Sequence, residues 1–227
     1  MRKSYCQNQE QHLRDALLGP NYSVTYGYDV AGRFNSVAWN IAGASNAATY
    51  SYVENSDLLQ QLTTDNGLQT TYTYEPKRNL RTQVKNEFNT NLISQYDYQY
   101  DPIGRRTSVA NSGQAFAATA FNRFEYDDRN QLTDSSRYLG ADGNDLSNPV
   151  QPENRSYEYD PMGNRKNAAG WDSEVSATKF ATYSTNSLNQ YDQIATVNGQ
   201  QTTDNLTYDY DGNLTAIAST DSTKLYK

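Results

Sequence analysis

One motif returns along this chain at a spacing that leaves few folds open. Two aromatic residues two apart, an acidic residue and a glycine or asparagine recur as YGYDVAGRF (26–34), YSYVENSDL (50–58), YTYEPKRNL (72–80), YQYDPIGRR (98–106), FEYDDRNQL (124–132), YEYDPMGNR (157–165) and LTYDYDGNL (206–214). The second aromatics fall at 28, 52, 74, 100, 126, 159 and 208, so the first intervals are 22 to 26 residues, followed by 33 and 49. A degraded copy, ATYSTNSLN (181–189), divides the last interval. Eight units of about 25 residues therefore run from Tyr22 to Ser219.

Each unit reads as a β-hairpin. Residues two apart on a strand share a face, which pairs Tyr26 with Tyr28, Tyr50 with Tyr52, Tyr72 with Tyr74, Tyr98 with Tyr100, Phe124 with Tyr126 and Tyr157 with Tyr159, while Tyr208 stands without a first ring. Asp at the first position, Pro at the second and Gly at the end are preferences of a type I turn closing a short hairpin loop. Asp29, Asp101, Asp127, Asp160 and Asp209 open the turns; Gly32, Gly104, Gly163 and Gly212 close them, with Asn130 in the glycine position of one. The returning strand brings a large residue six positions after the tyrosine at Phe34, Leu58, Leu80, Leu132 and Leu214, replaced by Arg106 and Arg165. Further turn signals, DNG (65–67), NSG (111–113) and NG (198–199), separate the units.

The expected fold is all-β: an antiparallel meander of about eight hairpins and about 16 strands over residues 21–227. An open sheet of more than about ten strands tends to curl, which predicts a strongly curved or spiralling strip, a partial β-shell. Its open edges predict self-association, or continuation in a longer chain. Residues 1–20 lack the motif and are expected to form a short helix or a disordered extension; 137–154, rich in Gly, Asn, Asp and Pro, reads as an inserted, protruding loop.

Composition narrows the chemistry. With 19 Lys+Arg against 26 Asp+Glu the net charge is −7, which argues against nucleic acid as a partner. Cys6 and His12 are the one cysteine and the one histidine, too few for a disulfide framework, a zinc site or a His-based nucleophile system. No apolar run is long enough to span a bilayer, and the N-terminus does not read as a signal peptide.

Candidate sites are weighed against the repeat. Asp101 and Asp160 sit in Asp-Pro-x-Gly, yet the same slot holds Asp29, Asp127, Asp209 and Glu75, so a turn explains them better than catalysis. The oxygen-rich stretches 141–145 and 209–213 lack the EF-hand order, with Gly212 two positions early and no following Glu. Exposed tyrosines beside Asn, Asp and Gln could bind a glycan; packing of the tyrosines in cross-strand ladders is the simpler reading. Arg105, Arg106, Arg165 and Lys166 form a basic spot that reads as a solvated face. No catalytic residue, metal ligand or cofactor site is assigned, and no enzymatic activity is expected.

The repeated YxYDxxGN[LR] resembles the YD repeat of Rhs proteins, of the B and C components of bacterial Tc toxins and of teneurins. The stretch 188–215 is similar to one found near the end of bacterial Rhs cores, and the likeness covers nearly all of the chain after residue 20. The resemblance implies a β-sheet strip that spirals into a hollow shell, often around a C-terminal toxin, in exported or cell-surface bacterial proteins. In the family an autoproteolytic DPxGL motif ends the core. Here DPIG is followed by Arg105-Arg106 and DPMG by Asn164-Arg165, and the chain reaches STDSTKLYK without that core, so neither shell closure nor self-cleavage is expected of it alone. The function expected is a structural wall, with a glycan- or protein-binding adhesion module as the alternative.

Overall fold

The computed structural model describes residues 22–41, 43–172, 176–197 and 201–220; the expected extension over 1–20 lies outside the described residues. Sixteen strands follow in chain order: β1 (Tyr22–Tyr28), β2 (Phe34–Ile41), β3 (Ala44–Tyr52), β4 (Leu59–Thr64), β5 (Leu68–Tyr74), β6 (Arg81–Phe88), β7 (Asn91–Tyr100), β8 (Arg106–Ser112), β9 (Ala120–Tyr126), β10 (Leu132–Leu139), β11 (Arg155–Tyr159), β12 (Arg165–Asp172), β13 (Ala177–Thr185), β14 (Tyr191–Val197), β15 (Gln201–Tyr208) and β16 (Leu214–Ser219). Each strand neighbours the next in sequence, giving a 16-stranded antiparallel meander with β1 and β16 as its end strands. The all-β hairpin meander expected from the repeat is what forms. A 3-10 turn at Gln151–Glu153 is the one helical element among the described residues.

The described residues divide into two compact units, one of those up to 98 with 111–117, and one of 99–110 with those from 118 onward. In the first, register places Tyr26, Val37, Ala48 and Thr64 in one cross-strand row, Tyr50, Leu62 and Thr70 in another, and Tyr72, Val84 and Tyr96 in a third. Alternation puts these rows on one face, where the Phe34 ring meets Tyr26, Tyr28 and Tyr50 at centroid distances of 6.2, 6.0 and 4.9 Å. The other face carries amide pairs: the Gln83 side chain donates to Asp97 at 2.7 Å, and that of Gln61 to Thr71 at 3.4 Å.

The second unit repeats the pattern, with Tyr157, Ala168, Ala181 and Thr196 in one row and Tyr183 opposite Ile194. Phe121 is buried and stacks on Tyr138 at 5.4 Å, on the face opposite Phe124 and Tyr126. Within 137–154, Arg137–Leu139 continue β10, and the chain returns beside it: the Val150 amide donates to the Arg137 carbonyl at 2.7 Å, and Pro149 bridges to Tyr138. Residues 139–149 and 151–153 are exposed.

Turn length departs from the expected register in two hairpins. The turn 29–33 closes with the Asp29 amide on the Arg33 carbonyl at 2.8 Å. The turns 53–58 and 75–80 are one residue longer, closed by Val53 on Leu58 and by Glu75 on Leu80. Tyr52 and Tyr74 are therefore paired with Leu59 and Arg81, not with Leu58 and Leu80. The left-handed residues there are Asn55 and Asn79, each one position away from where Gly32 or Asn130 stands in the shorter turn.

Candidate functional site

The recurring acidic residue is a backbone acceptor. Oδ1 of Asp101 takes the amides of Ile103 (3.1 Å) and Arg105 (2.9 Å), and Oδ2 takes Arg105 Nε at 2.6 Å. The same pattern holds at Asp29 with Ala31 and Arg33, at Asp127 with Arg129 and Gln131, at Asp160 with Met162 and Asn164, and at Asp209 with Asp211 and Asn213. In the degraded unit Asn186 does this work, its Oδ1 accepting from Leu188 and Gln190. Gly32, Gly104, Gly163, Gly212, Asn130 and Asn189 occupy the left-handed position that follows.

These contacts set the charge state. Hydrogen bonds from the Arg33 backbone and side chain hold the Asp29 carboxyl below its usual range; the Asn164 and Asn213 side chains, with backbone amides, do the same for Asp160 and Asp209. At Asp101 burial pushes upward, and Arg105 outweighs it to leave the carboxyl lowered. A carboxylate held ionised and engaged by two amides is a turn-forming acceptor, not a poised proton donor.

Neighbouring turns are tied together. The Arg33 guanidinium donates to the Ser56 carbonyl; Arg105 reaches Asn130 Oδ1 at 2.9 Å and the Asp127 carbonyl at 3.2 Å. Arg129 donates to the Asp160 carbonyl at 2.9 Å, and the Asn164 amide to Asn189.

A second tie was not visible in the sequence. The hydroxyl of the second tyrosine in a unit donates to the first carbonyl of the return strand in the unit before: Tyr52 to Phe34, Tyr74 to Leu59 (2.8 Å), Tyr126 to Arg106 (2.8 Å), Tyr159 to Leu132 (2.9 Å) and Tyr208 to Tyr191 (2.8 Å). Guanidinium groups cover the ring faces, Arg33 over Tyr52 at 4.5 Å and Arg105 over Tyr126 at 4.9 Å. The acceptors are backbone carbonyls, which leave no mark in a sequence; the recurrence of tyrosine in place of phenylalanine at this position was the one available signal.

The remaining sequence candidates separate. Tyr98 and Tyr100 end β7, half-buried. Tyr26 and Tyr28 are 61% and 64% exposed at the first strand. Asp142 and Asp145, in the oxygen-rich loop, accept from Asn144 and Ser147 in local turns. Among the described residues no three His, Cys, Asp or Glu side chains gather as a metal site, and no helix is long and apolar enough to cross a membrane.

No protein-family model matches the chain. It is 26% identical over 168 residues to the toxin subunit YenC2 of Yersinia entomophaga, covering 60% of this chain and 17% of that protein. In fold it is similar to the Photorhabdus luminescens Tc holotoxin pore (TM-score 0.56, 17% identity, 84% of this chain and 12% of the other) and to the crystal structure of TcdB2-TccC3-TEV (TM-score 0.51, 17% identity, again 84% and 12%). The chain thus spans under a fifth of the length of each of these three. Sequence and fold agree on the resemblance to the YD-repeat, or Rhs-type, family.

Proposed function

We propose that this chain is a non-enzymatic structural element, a strip of YD repeats that builds a curved wall and serves as part of an encapsulating shell of the Tc-toxin type. The observation that carries this reading is the stitching of unit to unit. The residues that define the repeat are engaged in their own turn or in the neighbouring unit, through tyrosine-to-carbonyl and turn-to-turn hydrogen bonds. A repeat built this way transmits register along the strip. The fold shared with Tc-toxin structures supports the same role.

The partners that suit this role are more sheet. Strands β1 and β16 end the order, and an end strand templates pairing with a second copy or with further repeats of a longer chain. Electron cryomicroscopy of the polypeptide made from the natural open reading frame tests the proposal. A β-sheet wall bounding a lumen is expected; a solid packed body at the position of these repeats overturns it. Glycan-array binding abolished by substituting exposed tyrosines would favour the adhesion reading instead.

A further inference from the structure

A site should lie where a unit departs from the repeat. The residue paired with the first aromatic is Val37, Leu62, Val84 or Ile194 in four units, and Ile217 pairs with Leu206 where the first ring is missing, but Ser135 stands opposite Phe124 and Ala168 opposite Tyr157. The next strand adds Ala181 beside Ala168, and the adjoining row is Arg155, Gly170 and Lys179. Missing side chains leave a depression of about 310 Å³ on the tyrosine face, walled by Tyr157 and Tyr183.

The rim of this depression is cationic. Arg165, in the slot that holds Phe34 or Leu132 in two other units and Arg81 or Arg106 in two more, lies over the Tyr157 ring at 4.8 Å and the Tyr183 ring at 5.8 Å. Arg155 lies across Gly170, close enough that a Cβ there would come within 2.8 Å of its Cδ, and donates to the carbonyls of Pro152 (2.9 Å) and Asn154 (2.6 Å). Among the described residues neither arginine has a carboxylate partner, in a chain of net charge −7 whose turn arginines do: Arg33 with Asp29, Arg78 with Glu75, Arg105 with Asp101. Lys179 stands 3.8 Å from Asp172.

We infer that this trough on β11, β12 and β13 is a docking site for an acidic polypeptide segment, its carboxylates taken by Arg155 and Arg165 above the Ala168–Ala181 floor. Guanidinium forks bind carboxylates bidentately, and a floor of small residues admits the incoming chain. The polar groups suited to reading sugar hydroxyls, Asn167, Thr178 and Thr182, alternate onto the opposite face by register, which disfavours a polysaccharide. The inference goes beyond the wall reading and holds whether or not the strip bounds a lumen.

Fluorescence anisotropy with a labelled octaglutamate peptide tests it on the full chain, with an octaglutamine peptide and an oligogalacturonate as comparisons. Saturable octaglutamate binding that weakens with salt is expected, with Arg155→Gln and Arg165→Gln each lowering affinity about tenfold. Arg165→Gln disturbs ring stacking, so Ala168→Val is the cleaner variant: it restores the aliphatic residue other units carry, and should fold while filling the trough and weakening binding. No octaglutamate binding, unchanged affinity in Arg155→Gln and Ala168→Val with native circular dichroism, or tighter binding of oligogalacturonate by the same residues, each overturns the inference.

Discussion

At Gly104 the backbone stands at φ +93°, where a β-branched side chain clashes with its own peptide units. Gly104→Val is therefore expected to destabilise by about 2 kcal/mol or more, read as a lower urea midpoint at unchanged slope. Asp101→Asn keeps an Oδ1 for the Ile103 and Arg105 amides, as Asn186 does in its own turn, and should cost less than the glycine substitution in the same assay. The turn carboxylates also make stability depend on pH. Asp29, Asp101, Asp160 and Asp209 have folded pKa values below the usual 3.8. Their contribution is present in full above the unfolded value and is lost as pH falls through the folded one. Urea midpoints should hold near neutrality and drop below about pH 4, and the drop should shrink when these aspartates become asparagines. The five-residue turns were legible in the sequence because Asp and Gly are placed by backbone geometry. The longer turns were misread by one residue because Asn55 and Asn79 enter the left-handed region off the glycine position.

Hairpin units are joined by features of different legibility. Strand pairing followed from the spacing of the aromatics, whereas the tyrosine rungs did not, since Leu132 or Tyr191 accepts through a carbonyl that any residue supplies. Removing one hydroxyl leaves that half-buried carbonyl short of a donor. Tyr159→Phe and Tyr208→Phe should each lower stability by about 1 kcal/mol in chemical denaturation. The two rungs share no partner, so the double variant should show the sum to within about 0.5 kcal/mol. Phenylalanine variants as stable as the parent would mean that the rings, and not the hydroxyls, hold unit to unit. The trough on β11 to β13 was half hidden: Arg165 in the place of Phe34 shows in the sequence, but Ala168 answers to Val37 only once register shows which positions correspond.

For the molecule as a whole, the balance of burial decides its behaviour. Among the described residues the buried apolar side chains are Ala48, Ala120 and Phe121, and most other strand residues are half-buried. Stability then rests on contacts between neighbouring strands, as in other linear repeats, and the strands at the two ends of the order have one neighbour each. In β16 the exposed residues include Leu214, Ala216 and Ala218, an apolar set with no charge to discourage pairing. Light scattering should therefore report a mass that rises with concentration. Ala216→Lys combined with Ala218→Lys places two cations on that strand, where pairing would have to bring them against a second backbone; the double variant should hold a monomer mass over the same range. A parent chain that stays monomeric at high concentration, or a lysine variant that associates as the parent does, would remove β16 as the joining strand.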